Sequence, residues 1–217
     1  MKRRNRYDVS GLEEAQFEHG SQGRVLKNRL GIISKREMDR IEGRAQVHAL
    51  EDLTAIYARE HCFTAADICR IHKVWLRPIY RWAGQYRQVN ISKDDFPFAA
   101  PKQIPRLMAE LEKGPLRRFT PCHPPSLDEV AMALAVVHVE LVLIHPFRDG
   151  NGRAARLLAI LMGLQAGLPT LFFGDISGRK RKLYFAAVQA GLEQDYEPMT
   201  TIFSAVIRRT LEIHGQV

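Results

Sequence analysis

Within the stretch IHPFRDGNGRAAR, residues 144–156, a histidine, an acid, a Gly-Asn-Gly triplet and two arginines stand within a dozen positions. Gly150 and Gly152 let the backbone approach a ligand closely and adopt positive φ. They sit where a helix begins. Unpaired N–H groups and the positive dipole end therefore converge on the turn Gly150-Asn151-Gly152, an anion-binding arrangement. Arg153 and Arg156 lie three apart and share a helical face. Two guanidinium forks beside an anion cradle suit a polyphosphate better than a single phosphate. Asp149 would repel a bare phosphate and is suited to Mg2+, which binds through one or two carboxylates plus phosphate oxygens. His145 offers an imidazole that takes a proton near neutral pH. Base, metal carboxylate and anion cradle together point to transfer of a phosphorus group to a hydroxyl. The plainer readings are a helix-end histidine, an N-capping Asp149 and solvated arginines. Arginines are disfavoured at a helix N-terminus that holds no anion.

The flanking sequence predicts the elements that position these residues. Residues 1–34 read as an irregular lead-in. Ser34 and Glu37 form a capping box for a helix with apolar residues at Met38, Ile41, Ala45, Leu50, Leu53 and Ile56, in which Gly43 is a weak point. Thr64 opens a second helix, limited by Pro78. Val89-Asn90-Ile91 and Phe96-Pro97-Phe98 predict a small β-hairpin, or flap, over residues 87–101. A short amphipathic helix follows over 102–113, then a proline-rich turn over 120–126. Ser126 caps a helix that is apolar nearly all round and therefore central. His145-Pro146 ends it, because a residue before proline avoids the α region. The helix after Gly152 stops at Gly167. A basic loop, SGRKRK, leads to helices from about Leu183 to Gly191 and Glu197 to His214. The expected class is all-α with one small hairpin. The expected division is an N-terminal extension and helix over residues 1–50, packed on a main domain over 51–217.

Composition bounds the function. The chain has 217 residues, 46% hydrophobic and 26% charged, with a net charge of +8. That supplies a full core and a basic surface for nucleotide phosphates, an acidic partner or nucleic acid. Cys62, Cys69 and Cys122 show no Cys-x-x-Cys spacing, so free thiols in a reducing compartment are expected. The start lacks an apolar signal region, and Val130–Ile144 is too short to span a bilayer and contains His138 and Glu140. A soluble cytoplasmic protein with no membrane partner is expected. His72 and His138 read as structural, His123 sits in a proline-rich turn, no two histidines show metal-ligand spacing, and the runs Lys2–Arg6 and Arg179–Lys182 read as solvated tails or loops. Nucleic acid is not the expected partner.

The segment His145-Pro-Phe-Arg-Asp149-Gly150-Asn151-Gly152-Arg153-Ala-Ala-Arg156 resembles the signature of Fic-domain proteins, His-x-Phe-x-Asp/Glu-Gly-Asn-Gly-Arg-x-x-Arg, with every defined position filled. The upstream pieces ADICRIHKVWL, WAGQYRQVNI and FPFAAPKQIP are similar to the family's helix, Ala-Gly-x-Tyr-Arg turn and flap, so the resemblance runs over about 64–205. It implies a Fic-type helical bundle with the flap next to the active site. The implied activity is that of a protein adenylyltransferase, moving AMP from ATP to a Ser, Thr or Tyr hydroxyl of a target protein, in some relatives as a toxin-like module. By position, the resemblance gives His145 the base role and Asp149 the Mg2+. Gly150, Asn151 and Gly152 would form the anion hole, with Asn151 near the α-phosphate. Arg153 would stabilise the outer phosphates, Arg156 would grip the γ-phosphate, and Phe147 would anchor the loop. The flap would register the target by strand addition.

Phosphate-transferring relatives carry lysine where Gly152 stands, so glycine favours nucleotidyl transfer, although UMP or phosphate transfer stays open. The family's inhibitory helix, Ser/Thr-x-x-x-Glu-Gly/Asn, pairs its glutamate with the second motif arginine. The nearest match, Met38-Asp39-Arg40-Ile41-Glu42-Gly43, keeps Glu42-Gly43 but lacks the hydroxyl residue. Either Glu42 is a degenerate inhibitor, or a separate small antitoxin-like chain inhibits, or nothing does. A non-catalytic basic module that only holds phosphate or nucleic acid is the alternative of another class. It has no need of His145.

Overall fold

The computed structural model describes residues 11–93, 96–174 and 178–215. The basic run Lys2–Arg6, the residues Asp94 and Asp95 between the expected strands, and the side chain of Arg179 lie outside them. The described chain is helical, with one two-stranded hairpin. The order is α1 (Lys35–Ile56), α2 (Ala65–Leu76), β1 (Ser92–Lys93), β2 (Phe96–Pro97), α3 (Ile104–Leu111), α4 (Arg117–Phe119), α5 (Leu127–Ile144), α6 (Asn151–Gln165), α7 (Gly178–Ala190) and α8 (Glu197–Ile213). No helix among the described residues is long and apolar enough to cross a membrane. The three cysteines are free thiols.

α5 is the axis. Val130, Ala131, Leu134, Val137, His138, Leu141 and Val142 are all buried, so residues on every side of the helix face protein. It packs on α6 and α8, while α1 lies on α2, and both of these touch α6. Side-chain caps start three of the helices. Ser34 Oγ accepts from Glu37 N–H, Ser126 Oγ from Glu129 N–H, and Thr64 with Asp67 forms a full capping box at α2. The expected division at residue 50 falls inside α1.

Three expectations need correction. The hairpin pairs only Ser92 with Pro97 and Lys93 with Phe96. Val89 stays outside it because its carbonyl accepts from Arg87 Nη1 at 2.7 Å. The helix expected over 102–113 is regular over 104–111 and then continues through a wide π-type turn, Glu112–Leu116, to Phe119. That turn accommodates Pro115, which has no N–H to donate. α7 begins at Gly178 rather than near Leu183; Lys180, Arg181 and Lys182 are good helix formers, and no breaker separates them from Leu183.

Candidate active site

α5 and α6 meet at a corner, and the corner is the site. α5 ends on His145, whose φ of 52° and ψ of 58° are left-handed. For a residue with a Cβ that conformation costs roughly 1–2 kcal/mol, and strain of this kind concentrates where function holds a residue in place. The surroundings fix it. His145 N–H donates to Leu141 O at 3.1 Å. Its carbonyl accepts from Arg87 Nε at 2.8 Å. Its Nδ1 lies 3.1 Å from Val142 O, so Nδ1 carries the proton and Nε2 is the bare nitrogen. Burial pushes the imidazole down to about 4. At neutral pH His145 is an uncharged base.

The loop between the helices is held from below. His72 is fully buried, stacks on Phe147 at 3.9 Å, accepts Gly84 N–H at Nδ1 and donates from Nε2 to Asp149 O. Burial pushes it down to about 4 as well. Asn151 closes the loop. Its Oδ1 accepts from Phe147 N–H and its Nδ2 donates to Phe147 O, both at 2.8 Å. The side chain expected near the α-phosphate therefore shapes the turn, which leaves Asn151 its backbone N–H. The N–H groups of Asn151, Gly152 and Arg153 have no backbone acceptor; the first bond of α6 is Ala154 N–H to Gly150 O. That row of free donors opens the helix, as anion binding requires. Gly150 has φ of +81°, and a Cβ there would lie 2.7 Å from Trp75. Asp149 is half-exposed; Oδ1 accepts from Gly150 N–H at 2.6 Å and lies 3.7 Å from Arg153 Nη2.

The arginines part company. Arg153 Nη1 meets Glu42 Oε2 at 2.6 Å, and its guanidinium lies 4.6 Å over the Trp75 ring. Glu42, only 2% exposed, also accepts from Tyr80 hydroxyl at 2.7 Å, and its carbonyl accepts from Trp75 Nε1. Glu42 thus pairs with the first motif arginine, not the second as an inhibitory glutamate would. Arg156 has no acidic partner among the described residues and lies beside Tyr184, whose hydroxyl is 2.9 Å from His138 Nε2. Burial lowers the Arg156 pKa. A part-buried guanidinium left unpaired beside free N–H groups is an anion site waiting for its charge.

These groups line one open cavity of about 640 Å3, with Asp149, Gly152, Arg153, Arg156, Tyr184 and Phe185 on one side and flap residues Ile91–Lys93, Phe96 and Phe98 on the other. Phe98 stacks on His145 at 3.6 Å, and Lys93 Nζ lies 3.1 Å over the Phe185 ring. The flap is thus roof to both the base and the pocket. The structure places His145, Asp149, Gly150, Gly152, Arg153 and Arg156, all named from the sequence, around this one cavity. Sequence reasoning missed Phe98 as the ring over the base. It also missed Arg87, which is 1% exposed and donates to the carbonyls of His145, Val89 and Ala99. The Tyr-Arg of the WAGQYR turn was the signal that could have found it.

Residues 62–162 match the profile of the Fic/DOC family. A Drosophila ananassae protein named protein adenylyltransferase Fic is 26% identical over 96% of this chain and 40% of its own length. Protein adenylyltransferase VbhT from Bartonella schoenbuchensis is 30% identical over 86% of this chain and 37% of its own. The chain therefore spans about two fifths of the length of these curated relatives. The crystal structure of BepC, a VirB-translocated effector of Bartonella tribocorum with bound AMPPNP, superposes with a TM-score of 0.67, at 25% identity, over 89% of this chain and 96% of that one.

Proposed function

We propose, on the premise of the match of residues 62–162 to the Fic/DOC family, that the cavity binds ATP and that the chain transfers its AMP to a hydroxyl of a target protein. One observation carries the reading. A neutral base with its bare nitrogen at the pocket shares that pocket with a row of free helix N–H groups and an unpaired Arg156. A phosphate-holding module has no use for the base. The AMPPNP bound by BepC and the names of the curated relatives support the nucleotide and the group transferred.

His145 Nε2 takes the proton of the target hydroxyl. The hydroxyl oxygen bonds to the α-phosphorus as the bond from that phosphorus to the oxygen bridging the β-phosphate breaks, and pyrophosphate leaves. The N–H groups of Asn151, Gly152 and Arg153 receive the charge that develops on the phosphate oxygens. Arg156 grips the outer phosphates from the buried side, and Arg153, held by Glu42, faces them from the other. Asp149 fits Mg2+, because its carboxylate is half-exposed and lines the cavity; the ion would neutralise phosphate charge. Phe98 keeps the imidazole ring oriented, and the edge of the flap receives the extended target segment.

The test is intact-mass analysis after incubation with ATP and Mg2+, beside His145→Ala. Addition of one AMP to the chain or to a supplied target by the wild type alone is expected. The variant should still bind ATP. Transfer by the variant would remove His145 as the base, and addition of a bare phosphate would change the group transferred.

A further inference from the structure

A groove larger than the one at His145, about 860 Å3, lies on the other side of α2. Arg70, Lys73 and Arg77 are spaced by three and four residues and share one helical face. Arg29 joins them from the lead-in, whose backbone is tied to the end of α2 by Arg29 N–H to Ile79 O at 2.8 Å. All four cations are exposed and line the groove, and none has a side-chain partner among the described residues. One acid, Asp52 of α1, faces them. The wall beyond is built tightly. Gly84 has φ of +79°, and a Cβ there would lie 2.7 Å from Lys73 Cβ and 2.8 Å from Cys69 O.

Like charges crowded around a concavity cost free energy unless an anion meets them. The chemistry of the lining selects the anion. Between the cations the surface is apolar, with Val74 and Pro78. No aromatic ring among the described residues lines it, so they offer nothing on which a nucleic-acid base would stack. Guanidinium forks recognise carboxylates in pairs, and an apolar strip between them suits apolar side chains on the same ligand. We propose that this groove binds an acidic amphipathic segment of a partner protein, with carboxylates on Arg29, Arg70, Lys73 and Arg77 and apolar side chains on Val74 and Pro78. The opposite face of α2 sends His72 and Trp75 toward the active site. A segment seated here leaves that site open, and the proposal does not depend on the transfer reaction.

The experiment is fluorescence anisotropy of a labelled glutamate–leucine peptide of helical period, titrated with the full chain at low and high salt. Expected is saturable binding that salt weakens. Arg70→Glu with Arg77→Glu should lower affinity about tenfold or more, since two attractive contacts with the ligand's carboxylates become repulsive ones. Reversal of Arg208 and Arg209, exposed on α8, should leave it unchanged. If the groove pair melts early, Arg70→Gln with Arg77→Gln gives the same readout. Absence of binding, equal losses in groove and α8 variants, or tighter binding of a single-stranded oligonucleotide with the same sensitivity to the groove pair each overturns the proposal.

Discussion

Glu42→Gln decides between two opposite roles for the carboxylate on α1. The substitution keeps shape and leaves an oxygen for the Tyr80 hydroxyl, but removes the charge that meets Arg153 Nη1 at 2.6 Å. Glu42 is 2% exposed, so solvent does not replace what is lost. A hydrogen bond between charged partners is worth roughly 1.5–3 kcal/mol. If the pair serves to hold Arg153 against the phosphates, losing it should lower kcat/KM for AMP transfer about 10- to 100-fold. The same loss should lower the melting temperature by roughly 3 to 12 °C, at 2–4 °C per kcal/mol for a chain of this size. Tyr80→Phe separates the effects. It removes the hydroxyl on Glu42 Oε1, costs stability, and leaves the Arg153 pair in place, so activity well below the melt should stay near wild type. Transfer would be followed by intact mass at saturating and limiting ATP. An inhibitory Glu42 requires the reverse sign: transfer faster in Glu42→Gln than in the wild type would refute the positioning role.

Stability should fall as pH drops below 6.5. His72 and His138 are buried and neutral, with burial pushing them down to about 4 and about 3. Between those values and the ordinary 6.5 the unfolded chain binds more protons, so folding weakens on acidification by up to roughly 1.4 kcal/mol per pH unit for each group; equal melting temperatures at pH 7.5 and 5 would contradict this. The transfer rate should lack the inflection near 6.5 that an ordinary histidine base gives, because His145 stays neutral until about 4; a pH–rate profile with a limb at 6.5 would assign that limb elsewhere. Gly150→Ala places a Cβ 2.7 Å from Trp75 in a left-handed conformation. It should cost about 2–5 kcal/mol and weaken ATP binding measured by calorimetry. Phe98→Ala, which uncovers His145, should lower kcat more than it raises KM for ATP.

Helix starts, the central place of α5 and the anion-binding turn are local properties. A capping residue, an apolar period or a Gly-Asn-Gly at a helix start acts over a few positions, so Ser34, Thr64, Ser126 and the 145–156 stretch could be read directly from the residue order. The chemistry of that stretch was legible for the same reason, since base, acid and arginines sit within a dozen positions. What the residue order left open depends on how distant segments pack. Glu42 and Arg153 are 111 positions apart, and only the seating of α1 on α2 and α6 brings them to 2.6 Å. That seating sends Glu42 to the first arginine and leaves Arg156 unpaired beside Tyr184. Phe98 reaches the His145 ring because Arg87 holds the carbonyls of His145, Val89 and Ala99 together. Asn151 looked like a phosphate ligand by type, but the tight corner between α5 and α6 makes the Phe147 amide its nearer partner. Residue order thus determined which groups carry charge and where helices begin. The tertiary structure decided which of those charges are neutralised inside the fold and which remain for a ligand, because a buried charge takes whatever partner the packing brings within reach.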